Sequence, residues 1–279
     1  MTVDIESLAR WQSGAVRQRY DGRDCALYAL GVGLGMDPLD ALALPFLDPT
    51  SAPALPTLAT VLASPGVWLA GFAASAVVHA AQSLVLHRPL AAAGAVVSTT
   101  RVTALARRRA GLFVTSERRL ADAESGEVIA TMVQTSVLLG ADAGPLPSRS
   151  EPPEPLPARA PDAVAVLPTS PQAALIYRLS GDTNPIHSDP AVARAAGFPR
   201  PILHGLATFG LIGWALVRTL AGGDGAGLRA LSGRFTAPVF PGERVRVEIW
   251  RERGAVRLRA QVPARGVVVF DAGRAEIGG

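Results

Sequence analysis

The chain has 279 residues, 49% of them hydrophobic, and a formal net charge of +4. That much apolar material at this length suits one large domain or two of ordinary size, and excludes disorder along the whole chain. The cations are all Arg, scattered along the sequence, and aromatic residues make up only 5%; no basic-aromatic pattern of a nucleic-acid binder is present.

In chain order, the first segment "MTVDIESLARWQSG" lacks the basic and then apolar stretch of a signal peptide. The final "AEIGG" carries no peroxisomal or retention address. A cytoplasmic location is the expectation. "DCALYALGVG" has helical spacing and holds Cys25, the single cysteine. One cysteine excludes an intramolecular disulfide and a cysteine-rich metal site, and at this spacing it is expected to be a buried core thiol. A Pro-rich stretch, "LPFLDPTSAPALPTL", follows. The run from Val67 to His87, "VWLAGFAASAVVHAAQSLVLH", is long and apolar. Its His79, Gln82, small residues and Val/Leu-rich second half predict a buried helix running into a buried strand, with no membrane span.

Four strand-like runs come next: "AQSLVLHRPL", "GAVVSTTRVTALA", "AGLFVTSERRLAD" and "EVIATMVQTSVLL". Arg107, Arg108 and Arg109 fall between two of them, and a solvated turn tip is favoured there over a phosphate site. Residues 145–161, "PLPSRSEPPEPLPARAP", hold seven prolines. This composition predicts an extended, semi-rigid linker between domains at 1–144 and 162–279. The second half again opens on a helix-like stretch, "SPQAALIYRLSG". It continues with "ILHGLATFGLIGWALVRTL", Ile202 to Leu220, whose apolar residues run right round a helix and predict burial on nearly all sides. Four strand-like runs close it: "LRALSGRFTAPVF", "ERVRVEIWRER", "AVRLRAQVPA" and "GVVVFDAGRAEI". Pro89 and Gly94 precede a strand as Pro238 and Gly242 do. This is a weak internal repeat that suggests duplication.

Within "YRLSGDTNPIHSDP", Tyr177 to Pro190, Asp182, Asn184 and His187 lie close together. Gly181 permits an unusual backbone angle and Pro185 keeps Asn184 out of the helical region, so the chain can turn both titratable side chains to one spot. A carboxyl and an imidazole are what proton transfer near neutral pH requires. A polar turn would look similar, because Asp and Asn bond to nearby backbone N–H groups. On spacing alone both readings stand.

The whole ordered segment resembles the signature of the R-specific enoyl-CoA hydratases, also called hydratase 2 or MaoC-like dehydratases. The residues that carry it are Tyr177, Ser180, Gly181, Asp182, Asn184, Pro185, Ile186 and His187, followed by "PILHG" at 201–205. "YALGVG" at 28–33 and "QSLVLHRPL" at 82–90 extend the resemblance to the first half. It implies an α+β double hotdog, two bent antiparallel sheets each wrapping a central helix. The first domain would house the acyl chain without catalysing, and the second would carry the chemistry. The implied reaction is reversible hydration of a trans-2-enoyl-CoA to the (3R)-3-hydroxyacyl-CoA. His187 would be base to the water and Asp182 proton donor to C2. Asn184 would hold the water or the loop, and Gly205 N–H would receive charge from the thioester oxygen. Arg200 and Tyr177 would contact substrate, with Arg200 toward the phosphates of coenzyme A. His204 has no assigned part. No metal or cofactor is expected, the partner is an acyl-CoA thioester, and a homodimer is the expected assembly. The same chemistry on acyl carrier protein, a non-catalytic acyl-thioester scaffold and a thioesterase are the alternatives. The sequence departs from the family where a Gly-rich segment with Arg and Phe would close the first half. Here it reads "LLGADAGPLP", 138–147.

Overall fold

The computed structural model describes residues 4–65, 77–141, 146 and 154–278. The strands among them are β1 (Val16–Tyr20), β2 (Val77–Leu86), β3 (Gly94–Arg108), β4 (Gly111–Asp122), β5 (Val128–Leu139), β6 (Ala163–Pro168), β7 (Leu228–Phe235), β8 (Arg244–Glu252), β9 (Ala255–Val262) and β10 (Val267–Ile277). The α-helices are α1 (Ile5–Ala9), α2 (Gly22–Gly31), α3 (Ala173–Tyr177), α4 (Pro190–Ala195) and α5 (Gly205–Leu220).

All ten strands join one sheet in the order β1-β3-β4-β5-β2-β7-β10-β9-β8-β6. Read outward from the centre, each half repeats the other. β2, β5, β4, β3 and β1 match β7, β10, β9, β8 and β6. The halves meet where β2 pairs antiparallel with β7, Ala81 opposite Arg234 through Val85 opposite Ala230. The duplication suggested by the Pro/Gly repeat is therefore a repeat of strand order. The α+β double hotdog is the architecture observed, its two sheets fused at the β2–β7 seam.

All eight runs expected as strands overlap one, β2 starting four residues earlier than its run, at Val77. The two strands not expected, β1 and β6, are the outer edges of the sheet. Both are short: "VRQRY" is mostly polar, and "AVAVLP" ends on a proline beside the Pro-rich segment. Edge strands tolerate such sequences because one side of their backbone is unpaired. The strand expected at the end of the 67–87 run is β2. The helix expected before it lies outside the described residues, as does most of 145–153. No helix among the described residues is long and apolar enough to cross a membrane.

α5 forms the core of the second half. Ala207 to Val217 are all buried, and each large apolar side chain so buried contributes about 1.5–3 kcal/mol. Phe209 meets Phe270 of β10 edge-on at 6.1 Å, and Trp214 meets Phe46 of the first half at 5.4 Å. The helix starts three residues later than the sequence suggests. Leu203 N–H is diverted to Val239 C=O at 2.8 Å, which keeps 202–204 extended. Two glycines let the first half close on this helix. A Cβ at Gly210 would stand 2.5 Å from Val32 Cγ1 and 2.7 Å from Tyr28 Oη, and one at Gly213 would stand 2.6 Å from Thr57 Cγ2. The loop carrying Thr57 is fixed from β4, where buried Arg118 donates to the carbonyls of Ala59, Thr60 and Leu62. Cys25 is the expected core thiol, 1% exposed and donating to Ala92 C=O.

Gly210→Ala tests this packing. Alanine favours a helix by up to about 1 kcal/mol over glycine, yet the forced contacts cost about 1–3 kcal/mol. The variant is expected to melt several degrees lower in a thermal unfolding scan. An unchanged or higher midpoint would contradict the packing.

Candidate active site

The corresponding helical openings of the two halves pack on each other. Tyr28 of α2 and Tyr177 of α3 are both fully buried, with ring centroids 5.8 Å apart. Close approach is possible at Gly31, where a Cβ would stand 3.0 Å from Tyr177 Cα. After each tyrosine the sequences diverge. Five residues on, the second half has Asp182 and the first has Gly33; ten residues on, they have His187 and Pro38. The acid-base pair is present only in the second half.

Past Tyr177 the chain turns at Gly181, whose φ of +119° is the left-handed conformation expected there. Asn184 then caps the short 3-10 turn Pro185–His187: its Oδ1 accepts from Ile186 N–H at 3.1 Å. Its own N–H donates to Asp182 Oδ1 at 3.1 Å. Asn184 thus holds the loop. Asp189 caps α4 by accepting from Ala191 and Val192 N–H, which fixes the far side.

His187 is buried, and its Nδ1 lies 2.8 Å from Ile202 C=O. A carbonyl only accepts, so Nδ1 carries the proton and Nε2 is left with its lone pair. Burial pushes the His187 pKa below its ordinary value, opposed by the Asp182 charge and the Ile202 carbonyl. The ring is neutral at neutral pH, as a general base must be.

His204, 1% exposed, stacks on His187 at 3.7 Å between centroids and 27° between planes. Its other neighbour is Tyr177, at 4.9 Å. His204 Nε2 lies 3.1 Å from Asp182 C=O and its Nδ1 is buried with no partner among the described residues. Burial, reinforced by neighbouring His187, pushes its pKa down to about 3.

Ligating atoms of Asp182, His187 and His204 lie within 4.8 Å of one another. Between the carboxyl and the His187 imidazole, that spacing suits one bridging water. It suits a metal poorly, because stacked rings send their in-plane lone pairs side by side, whereas a tetrahedral ion needs them to converge.

α5 begins beside this group. Its N-cap is His204, whose side chain makes no cap, so the first-turn N–H groups, Gly205 included, are orphan donors at the positive end of the helix. Gly205 is required neither by backbone nor by packing. It is not among the positive-φ residues, and a Cβ there would meet only ordinary contacts, 3.6 Å from Phe235 Cζ and 3.7 Å from His79 Nδ1. Neither constraint explains the glycine at the helix start.

His79 comes from β2, at a register shift between His79 and Ala81 on the seam side of the first half. Its Nε2 bonds Ala81 C=O at 3.0 Å, and burial pushes its pKa down to about 4. Spacing along the chain does not mark this first-half histidine as facing the start of α5, since the β2–β7 pairing brings it there.

The remaining expected residues stand as follows. Tyr177 is a buried wall behind His204. Arg200 is exposed, donates to Pro241 C=O at 3.3 Å and lies 5.0 Å over the Phe240 ring. Arg107 and Arg109 are exposed at the β3–β4 turn, and Arg108 lies 4.5 Å over Phe113.

An acid-base pair on a loop, placed against the free N-terminus of a helix inside a duplicated sheet, describes the double-hotdog class of hydro-lyases. Comparison with known proteins agrees. Residues 153–269 match the MaoC-like domain model and residues 18–140 match the MFE-2 hydratase 2 N-terminal domain model. The chain is 40% identical to 3-hydroxyacyl-thioester dehydratase Y of Mycobacterium tuberculosis over 99% of both chains. It is 35% identical to the peroxisomal enoyl-CoA hydratase 2 of Arabidopsis thaliana, covering 94% of this chain and 92% of that one. A MaoC-like dehydratase crystal structure from Phytophthora capsici superposes with a TM-score of 0.84 at 27% identity, covering 99% of this chain and 98% of that one. The chain belongs to the MaoC-like dehydratase and enoyl-CoA hydratase 2 family. It is an enzyme, and the family's reaction is the reversible hydration of an enoyl thioester.

Three histidines, His187 and His204 buried and His79 half-buried, make stability depend on pH. His79, His187 and His204 all have native pKa values below the ordinary 6.5, so the unfolded chain takes up their protons first as pH falls. Stability is fully present above about pH 6.5 and is lost below it, by a few kcal/mol between pH 7.5 and pH 5. Urea unfolding is expected to show a midpoint constant from pH 7 to 8 and falling toward pH 5. A midpoint unchanged down to pH 5 would show that the fold does not hold the histidines neutral.

Proposed function

We propose that this protein adds water reversibly to trans-2-enoyl-CoA to give the (3R)-3-hydroxyacyl-CoA. The observation that carries the reading is the His187 Nδ1–Ile202 bond, which leaves Nε2 with its lone pair on an imidazole that lies within 4.8 Å of the Asp182 carboxyl. His187 Nε2 takes a proton from that water while the hydroxide oxygen bonds C3. Charge moves to the thioester oxygen, where Gly205 N–H donates to it. His187 passes that proton to the Asp182 carboxylate, and Asp182 delivers it to C2, which leaves both groups as they began. Asn184 keeps the loop in register.

Domains at 1–144 and 162–279 with a linker at 145–161 complete the proposal, the first housing the acyl chain and the second catalysing. His79 on β2, next to Gly205, supports a first-half wall to the site. Exposed Arg200 supports coenzyme A over acyl carrier protein, as a cation within reach of solvent and so of phosphate. A homodimer in the cytoplasm is the assembly and place proposed. The single reduced thiol supports the compartment, and exposed Leu175 and Leu179 offer apolar surface to a second copy.

The test is hydration of crotonyl-CoA and a longer enoyl-CoA, with chiral analysis of the product. The wild type is expected to give the (3R) alcohol. Asp182→Asn and His187→Gln should each lose at least about 100-fold in kcat while remaining folded. Wild-type rates in either variant would remove that residue from the mechanism, and a wild type without turnover would favour a thioester-binding role. Gly205→Ala should keep its melting temperature and lose at least tenfold, roughly, in kcat/KM. Full activity in that variant would move the oxyanion donor elsewhere.

A further inference from the structure

We propose that His204 is a positioning residue: its Nε2–H holds the backbone carbonyl of Asp182 and thereby fixes the carboxyl opposite His187. The inference rests on the hydration mechanism above and adds to it the anchor that the catalytic loop needs.

Asp182 is exposed and follows a glycine in the left-handed conformation. Its side-chain bond is local, from Asn184 N–H. Among the described residues the long-range hydrogen bond that ties it to the rest of the fold is the one from His204, 22 residues away, at 3.1 Å. The carbonyl can only accept, so Nε2 is the protonated nitrogen.

Three features distinguish this bond from incidental packing. His204 occupies the N-cap of α5, where Ser, Thr, Asp or Asn would cap the helix, and instead turns its ring to the loop. The ring is held in one orientation by His187 at 3.7 Å on one side and Tyr177 at 4.9 Å on the other. Its Nδ1 is buried without a partner among the described residues, which costs free energy that an apolar side chain of similar shape would avoid. An imidazole with one unpaired nitrogen is retained for what the other nitrogen does.

The chemistry explains why the anchor is neutral. An Arg or Lys in this place would also pair with the Asp182 carboxylate and hold it ionised, which opposes proton delivery to C2. The groups facing His204 are Asp182, His187, Tyr177 and, at longer range, Arg178. Buried among them, the ring stays uncharged, with its pKa pushed down to about 3. It restrains the Asp182 backbone and leaves the carboxyl free to exchange a proton.

His204→Gln and His204→Asn separate the anchor from packing. A Gln amide nitrogen can reach the place of Nε2, whereas an Asn amide reaches only the place of Nδ1. With crotonyl-CoA, His204→Gln is expected to keep kcat within about fivefold of wild type, and His204→Asn to lose about 30-fold or more, with KM changed less than about threefold in both. Thermal unfolding checks that both are folded. A wild-type kcat in His204→Asn, equal losses in the two variants, or an effect confined to KM would each overturn the inference while wild-type hydration stands. Absence of hydration by the wild type would overturn the functional reading and this inference with it.

Discussion

The hydrogen bond from His187 Nδ1 to the Ile202 carbonyl sets the chemistry of the whole site. It decides the tautomer, and the tautomer leaves Nε2 with the lone pair of a base. The bond exists because the chain runs extended through 202–204, and it runs extended because Leu203 N–H pairs with Val239 across the β7–β8 connection. That diversion also delays the start of α5 to Gly205, which leaves a free helix N-terminus beside the imidazole. One stretch of backbone thus supplies the orienting carbonyl, the extended approach and the proposed charge-receiving amide.

Duplication provides the scaffold and also the asymmetry. Two halves with the same strand order are joined through β2 and β7, and their helical openings face each other through Tyr28 and Tyr177. At the positions where the second half carries Asp182 and His187, the first carries Gly33 and Pro38. Glycines at 31, 210 and 213 bring the first half close enough to bury α5 and to set His79 beside Gly205. In the proposed division of labour the first half walls the acyl site and the second performs the proton transfers.

Much of this was legible in the sequence, for local reasons. Long strands with turn residues between them, the Pro/Gly repeat and the all-round apolar helix follow from patterning that tertiary contacts do not override. The loop was legible because Gly181, Asn184 and Pro185 each have a backbone task that the structure shows them performing or permitting. Other features depended on contacts far apart in sequence. β1 and β6 are strands by virtue of one neighbour each, β3 and β8, and their own residues argue only weakly for it. His79 reads as a polar residue in an apolar run until β2 meets β7. His204 reads as helix entry until its ring is seen reaching back to Asp182, a bond no spacing rule would supply. The delayed start of α5 is hidden for the same reason, since it is imposed by Val239.

The central claim is that water adds between His187 Nε2 and the Asp182 carboxyl while the thioester oxygen rests on Gly205 N–H. A crystal structure of the protein with a bound (3R)-3-hydroxyacyl-CoA tests this most directly. The account predicts the 3-hydroxyl within about 2.6–3.2 Å of both His187 Nε2 and Asp182, and the thioester oxygen at a similar distance from Gly205 N. A 3-hydroxyl out of reach of His187, or a thioester oxygen held by other donors with Gly205 N–H turned away, would contradict it.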